Sequence, residues 1–124
     1  MQNILVISLG AIIGASLRYL LAQYVARVIP STFPYGTFII NLTACLVLGF
    51  FLVWTSEKVI VDPRWRLLVA IGFCGSYSTY SSFAFETFAL FEKGQWLAAA
   101  FNVAATNVLC FAAVAIGAAV ARAL

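Results

Sequence analysis

Hydrophobic residues occupy this chain in four long runs separated by short polar segments. The runs cover about residues 4–26, 35–56, 67–90 and 96–121. Each run is long enough to cross the hydrocarbon core of a bilayer as a helix, which requires about 20 apolar residues. The apolar residues are continuous instead of alternating with polar ones, which disfavours a membrane β-barrel. The sequence therefore predicts an all-α membrane protein in which residues 1–124 form one domain of four transmembrane helices.

The segments between the runs carry residues that end membrane helices. Pro30 and Pro34 separate the first two runs, because proline lacks the N–H group that a helix interior needs. The largest group of charged residues lies between positions 57 and 66, and Gly94 marks a tight link before the fourth run. The three tryptophans also lie at predicted helix ends, as interfacial aromatic residues do: Trp54, Trp65 and Trp96.

The composition agrees with a membrane protein and argues against several other classes. Of the 124 residues, 65% are hydrophobic and 9% are charged, and the mean hydropathy is +1.06. With no histidine, no phosphate-binding loop and few carboxylates, an enzyme is not expected. The net charge of +3 comes from scattered residues, which does not support nucleic-acid binding. The first run lacks a basic start and contains Arg18, which disfavours a cleaved signal peptide.

Basic residues give only a weak signal for orientation in the membrane. Four helices place both termini and the second link on one side of the bilayer. That side carries four basic residues and the other side two, with Arg18 undecided: Lys58, Arg64, Arg66 and Arg122 against Arg27 and Lys93. Because the positive-inside rule depends on such an excess, a weak bias permits insertion in both orientations. We therefore expect an antiparallel homodimer of dual topology in the lipid bilayer.

Small residues recur at helical spacing in the first and fourth runs. Gly10 and Gly14 form a GxxxG motif, and Ala113, Gly117 and Ala121 continue the same spacing. Such faces allow two helix backbones to approach closely. They fit a subunit interface or packing within one subunit equally well. Four helices enclose little room, so a transport path is expected to need an interface between subunits.

Polar residues inside the runs are candidates for function, because ionisable groups are costly in hydrocarbon. Arg18 lies in the first run and Glu86 in the third. A buried pair between them, or extension of either side chain toward the membrane surface, would explain them structurally. Asn41 stands alone among apolar residues and offers two N–H donors and one acceptor. Its structural alternative is a hydrogen bond between packed helices.

The fourth run carries a polar stripe. Asn102, Thr106 and Cys110 recur every four residues, so they share one helix face and could line a narrow path. Cys45, Cys74 and Cys110 are odd in number and all lie within runs. Their spacing fits no common ligand pattern, so the sequence favours small buried hydrophobic residues over a disulfide or a metal site.

The stretch GFCGSYSTYSSFAFE at 72–86 interrupts the third run with glycines and hydroxyls. We predict a helix broken near Gly75 to Ser78, since unwound backbone inside a membrane is tolerated beside protein or a water-filled cavity. Carbonyls freed by such a break can coordinate a cation. Three aromatic residues recur every third position, close to one helix face: Tyr77, Tyr80 and Phe83. Core packing is the alternative, but their interleaving with hydroxyls favours positive ring edges facing a small anion.

Three stretches of the chain contain distinctive motifs: GAIIGASLRY at 10–19, FPYGTFIINL at 33–42 and GFCGSYSTYSSFAFE at 72–86. Together they resemble the Fluc (CrcB) family of fluoride channels. In that family the first motif carries a glycine pair and an arginine, the second ends in a pore asparagine, and the third reads close to GFCGGxTTFSTFxxE. The resemblance covers nearly the whole chain, and the combination of motifs is specific.

The resemblance implies a fluoride channel that passively exports cytoplasmic fluoride and so relieves its toxicity, in the bacterial inner membrane. Members of the family are antiparallel dimers with two pores and a central structural Na⁺ that is not transported. The alternative is a proton-coupled exporter resembling the small multidrug resistance transporters, but these depend on a glutamate that the first helix here lacks. A third reading is a non-transporting assembly subunit, which would leave the polar stripe without a purpose.

Matching positions carry the family's site residues onto this chain. The backbone carbonyls of Gly75 and Ser78 from both subunits would hold the Na⁺, and Arg18 and Glu86 would shape the entrance or serve in packing. The implied pore lining is Asn41, Tyr80, Ser81, Ser82, Phe83, Asn102, Thr106 and Cys110. Three departures from the family pattern matter: Ser76 replaces a glycine, Ser78 a threonine and Tyr80 a phenylalanine.

Overall fold

The computed structural model describes residues 1–124 and contains helices as its only regular elements. In chain order these are α1 (Gln2–Val28), α2 (Tyr35–Glu57), α3 (Pro63–Arg66), a π-helix (Leu67–Cys74), α4 (Gly75–Tyr77), α5 (Tyr80–Glu92) and α6 (Trp96–Ala123). Three of them, α1, α2 and α6, are long and apolar enough to cross a membrane. The all-helical prediction is confirmed, and the third run is divided. Its first half belongs to a continuous helical stretch over 63–77, and its second half is α5.

The third run breaks at Ser78 and Thr79, later than the glycines suggested. Gly75 is helical, with φ −65° and ψ −29°. Ser78 (ψ 158°) and Thr79 (φ −151°, ψ 116°) are extended. The break therefore starts at the end of the predicted range, and Gly75 is not part of it. The cause is a cap, because the Thr79 hydroxyl accepts the backbone N–H of Ser82 at 3.2 Å and starts α5.

The first half of the third run packs in parallel against α1. Arg64 donates to Gln2 Oε1 at 2.8 Å across a separation of 62 residues. The same separation relates Gly10 to Gly72, where a Cβ on Gly72 would lie 3.0 Å from Gly10 Cα. It also relates Gly14 to Ser76, where a Cβ on Gly14 would overlap the serine hydroxyl. The GxxxG motif thus brings two backbones together within one subunit.

A second parallel pair consists of α2 and α6. Arg122 and Glu57 form a salt bridge of 2.9 Å across a separation of 65 residues. The same separation relates Gly49 to Val114, whose backbone leaves no room for a Cβ on the glycine. A Cβ on Gly117 would lie 2.7 Å from the backbone nitrogen of Phe50. The small-residue face of the fourth run is therefore also packed inside the subunit.

Hydrogen bonds among helix ends and the segments that link the helices define the two ends of the bundle. At one end, Arg66 donates to Ser56 Oγ at 2.6 Å, close to the contacts of Gln2 and Arg122 described above. The termini and the second link therefore share that end, as predicted. At the other end, Thr32 donates to Gln95 Oε1 at 3.0 Å.

Few residues are buried inside the single chain. Only 20 of 124 residues are buried, and most large apolar side chains of the long helices are exposed. Such an apolar surface is suited to contact with lipid or with another subunit.

Candidate functional site

The Asn41 side chain holds the break in the third run. Its Nδ2 donates to the backbone carbonyl of Thr79 at 3.0 Å, and Thr79 N–H donates to Asn41 Oδ1 at 2.8 Å. Both backbone polar groups of Thr79 are therefore satisfied without helical partners, as a membrane interior requires. One N–H of the Asn41 amide remains for another acceptor.

An open groove lies beside this contact, between α2, the break, α5 and α6. Its volume is about 280 Å³. It is lined by Asn41, Cys45, Ser78, Thr79, Tyr80, Phe83, Thr106, Asn107, Cys110, Phe111 and Val114. No lysine, arginine, aspartate or glutamate is among these residues.

The groove brings together five of the residues expected to line the pore: Asn41, Tyr80, Phe83, Thr106 and Cys110. It also contains Thr79, Cys45 and Asn107, for which the sequence predicted no pore role. The spacing could have revealed Cys45, because it follows Asn41 by four residues just as Cys110 follows Thr106. Asn107 lies next to the polar stripe, so spacing alone gave no signal for it.

The other three expected pore residues lie outside the groove lining. Ser82 accepts a hydrogen bond from the Thr79 hydroxyl at 3.1 Å, and Ser81 is exposed. Asn102 is only 1% exposed and belongs to a chain of hydrogen bonds between α6 and α5. In this chain Thr106 donates to Asn102 Oδ1 (3.2 Å), Asn102 to Thr87 Oγ1 (2.8 Å) and Thr87 to the Phe83 carbonyl (2.7 Å). These bonds fix Phe83 and Thr106 on the wall of the groove.

The three aromatic residues do not share one face, contrary to the prediction. Tyr77 is buried before the break, where its ring stacks on Phe73 at 5.5 Å and its hydroxyl lies 2.8 Å from Thr43 Oγ1. Tyr80 is 78% exposed and tilts against Phe83 with ring centroids 5.5 Å apart. The extended backbone at Ser78 and Thr79 separates the first ring from the other two, because it ends the helical repeat.

Arg18 and Glu86 do not pair with each other. The only ion pair in the chain joins Glu57 to Arg122. Thr37 donates to Glu86 Oε1 at 2.9 Å, which ties the start of α2 to α5, while Glu86 Oε2 is buried without a partner. Arg18 is half-buried on α1. Neither residue lines the groove.

The cysteines divide into two groups. Cys74 is 2% exposed, as a small core residue would be. Cys45 and Cys110 are half-buried free thiols on the groove wall, so burial in a core does not describe them. Their position follows from the parallel packing of α2 and α6, which the spacing of residues along one helix does not reveal.

Neutral donors remain available in the groove. Three hydroxyls already donate to neighbouring oxygens: Ser78 to Cys74 O at 2.8 Å, Thr79 to Ser82 Oγ, and Thr106 to Asn102 Oδ1. Asn107 uses one amide N–H on the Val103 carbonyl at 2.7 Å. The second N–H groups of Asn41 and Asn107 and the Tyr80 hydroxyl remain free. With the edge of Phe83, these groups can bind a small anion without a fixed positive charge.

Comparisons with known proteins match nearly the whole chain. Residues 5–118 match the family described as "CrcB-like protein, Camphor Resistance (CrcB)". A fluoride-specific ion channel FluC of Koribacter versatilis (strain Ellin345) is 54% identical over 108 residues, which are 87% of this chain and 86% of the relative. The protein of the same name from Sulfurihydrogenibium sp. (strain YO3AOP1) is 43% identical over 124 residues, the full length of both chains.

Proposed function

This chain belongs to the CrcB-like protein family, and on that premise we propose that it is a fluoride-specific ion channel. It is a multi-pass membrane protein and not an enzyme. In the proposed function it lets fluoride leave the cytoplasm passively through the bacterial inner membrane and thereby relieves fluoride toxicity. The observation that carries the proposal is the groove, in which neutral hydrogen-bond donors and an aromatic edge meet without any charged side chain.

The chemistry of the groove suits fluoride. Fluoride is small and strongly hydrated, so a pore must replace its water while binding it weakly enough for release. The free N–H groups of Asn41 and Asn107 supply donors, and the Phe83 ring supplies a positive edge. Hydrogen fluoride is a neutral weak acid that crosses membranes and dissociates inside, so a passive exit for the anion is sufficient.

We infer that two copies assemble as an antiparallel dimer with two pores. The groove is open on one side of the single chain, and Tyr80 at its rim is 78% exposed. A second copy would cover this apolar surface and close each groove into a path through the bilayer. Because both small-residue faces are used inside the subunit, the dimer contact must involve other surfaces.

The proposed central Na⁺ fits the backbone at the break. Thr79 N–H is directed to Asn41, so the Gly75 carbonyl, one turn earlier, lacks its ordinary helical donor. Gly75 is also exposed on the single chain, where a partner could approach. Backbone oxygens suit a hard cation, and two from each subunit, Gly75 and Ser78, would surround the ion. A well-resolved map of the dimer without central density between these carbonyls would overturn this part of the proposal.

The runner-up function is a proton-coupled exporter resembling the small multidrug resistance transporters. It would need a carboxylate on the transport path. Glu86 is the acidic residue inside the third run, and it faces Thr37 instead of the groove. The structure therefore offers little support for this alternative.

Fluoride efflux from liposomes tests the proposal. Purified protein is reconstituted in vesicles loaded with potassium fluoride, and efflux is started with valinomycin. We expect rapid fluoride release without a proton gradient and negligible release from vesicles loaded with chloride.

Two results would contradict the channel. Efflux that appears only with an imposed proton gradient would favour the coupled exporter. Equal rates for fluoride and chloride would remove the fluoride specificity.

A further inference from the structure

We propose that Cys45 and Cys110 form a two-thiol site for a soft cation inside the groove, and that its occupation blocks the pathway. The blocking step rests on the proposed channel function, whereas the binding site does not. The site is a consequence of how α2 and α6 pack.

The packing of α2 and α6 brings the two cysteines opposite each other. Their separation in sequence is the same 65 residues that relates Glu57 to Arg122 across the helix pair. Gly49, one turn further along α2, contacts the backbone of Val114, which lies one turn beyond Cys110. Because these backbones touch, side chains one turn away face each other at short range.

The thiols are accessible from the groove. Both line it, and both are free and half-buried. Cys45 follows Asn41 by one helical turn, which is about 5.4 Å along the axis. An ion bound between the thiols would therefore lie beside the amide that we place on the fluoride path.

The ligand set selects the class of ion. Thiolates are soft ligands that prefer soft metal ions. No group of three or more cysteine, histidine or carboxylate ligands exists in this structure, and the chain has no histidine. Tetrahedral ions such as structural Zn²⁺ need four ligands. Two opposed thiols instead suit ions that accept two sulfurs in a line, such as Hg²⁺ or Ag⁺.

Binding of Hg²⁺ balances in charge. Two S–H bonds lose their protons to water, two S–Hg bonds form, and the resulting complex is neutral. No oxidant is required. The complex removes two thiol donors from the groove and fills the space between α2 and α6.

The test compares three serine variants with the wild-type protein in liposomes. Cys45→Ser and Cys110→Ser each remove one ligand, and Cys74→Ser is the matched control because this third thiol lies outside the groove lining. Each variant's fluoride efflux after Hg²⁺ is compared with its own efflux before Hg²⁺. At ten times the dissociation constant, about nine sites in ten are occupied, so we expect efflux to fall about tenfold in wild type and Cys74→Ser. Cys45→Ser and Cys110→Ser should keep their efflux at that concentration, and a dithiol chelator should restore the wild type.

Native mass spectrometry gives a readout that does not depend on transport. With an equimolar monothiol such as glutathione present as competitor, we expect one Hg²⁺ per chain in wild type and Cys74→Ser, and none in the other two variants, because a single remaining thiol has no advantage over the free monothiol. Retained binding in Cys45→Ser or Cys110→Ser, or lost binding in Cys74→Ser, would overturn the site. If Hg²⁺ binds as expected but no variant passes fluoride before Hg²⁺ is added, the channel function fails while the site stands. Unchanged efflux in wild type despite bound Hg²⁺ would refute the block.

Discussion

The Asn41 side chain replaces the helical hydrogen bonds that Thr79 loses at the break. Its amide pairs with both backbone groups of Thr79, and its remaining N–H is free at the groove. One residue therefore stabilises the extended backbone and supplies a donor to the proposed path. The sequence predicted a polar role for Asn41 from its isolation among apolar residues, but not its contact with Thr79.

Substitution of Asn41 tests this double role. Asn41→Asp keeps an acceptor for Thr79 N–H but removes the donor to the Thr79 carbonyl and adds negative charge at the groove. Leaving a buried carbonyl unpaired costs about 1–3 kcal/mol, so we expect fluoride efflux to fall by about tenfold or more. The measurement is the liposome assay. Asn3→Asp, on the exposed start of α1, is the control and should conduct normally. Wild-type efflux from Asn41→Asp would remove Asn41 from the path.

At the scale of elements, the helices are arranged as two parallel pairs joined by backbone contact. Gly10 and Gly72 join α1 to the π-helix, and Gly49 and Gly117 join α2 to α6. These contacts place residues 62 apart in sequence beside each other in the first pair, and residues 65 apart beside each other in the second pair. This alignment of the helices positions the groove and the two thiols. Small residues in a membrane helix allow such contact wherever a partner exists. The sequence therefore identified the faces, but it could not choose between packing inside the subunit and packing between subunits.

A glycine substitution tests the contact between α2 and α6. In Gly49→Ala the new Cβ would overlap the Val114 backbone, which cannot move as a flexible side chain could. Overpacking of this kind costs about 1–3 kcal/mol, so we expect a lower unfolding temperature in detergent. Gly36→Ala is the matched control, because its nearest neighbour, the Cα of Ala22, would lie at an ordinary 3.4 Å. Equal unfolding temperatures for the two variants would contradict the close packing.

At the scale of the molecule, the ends of the bundle carry little charge asymmetry. Both termini and the second link share one end, where Glu57 binds Arg122. Arg27 and Lys93 lie toward the other end, near the Thr32–Gln95 hydrogen bond. The apolar exterior and the open groove support the proposed second copy. The weak charge bias supports the proposed inverted orientation of that copy.

Dual topology can be measured with reporters fused to the C-terminus. We expect an alkaline phosphatase fusion, which is active outside the cytoplasm, and a green fluorescent protein fusion, which is active inside, both to give signal in a bacterial host. Adding two lysines to the second link should shift the population toward one orientation, because an excess of positive charge is retained inside. Signal from only one reporter on the unmodified chain would exclude an antiparallel dimer.

The sequence by itself determined the class of protein, its four runs and the approximate location of the break, because hydrophobic length and the scarcity of charge constrain any chain in a bilayer. The tertiary structure decided the position of the break, since it depends on the Asn41 amide and the Thr79 cap instead of on Gly75. It also decided which polar residues meet. Asn102 is used in a buried hydrogen-bond chain, while Cys45 and Asn107 reach the groove. Periodicity gives the face of one helix, whereas a groove requires the register between helices, and backbone contacts at small residues set that register only once the chain is folded.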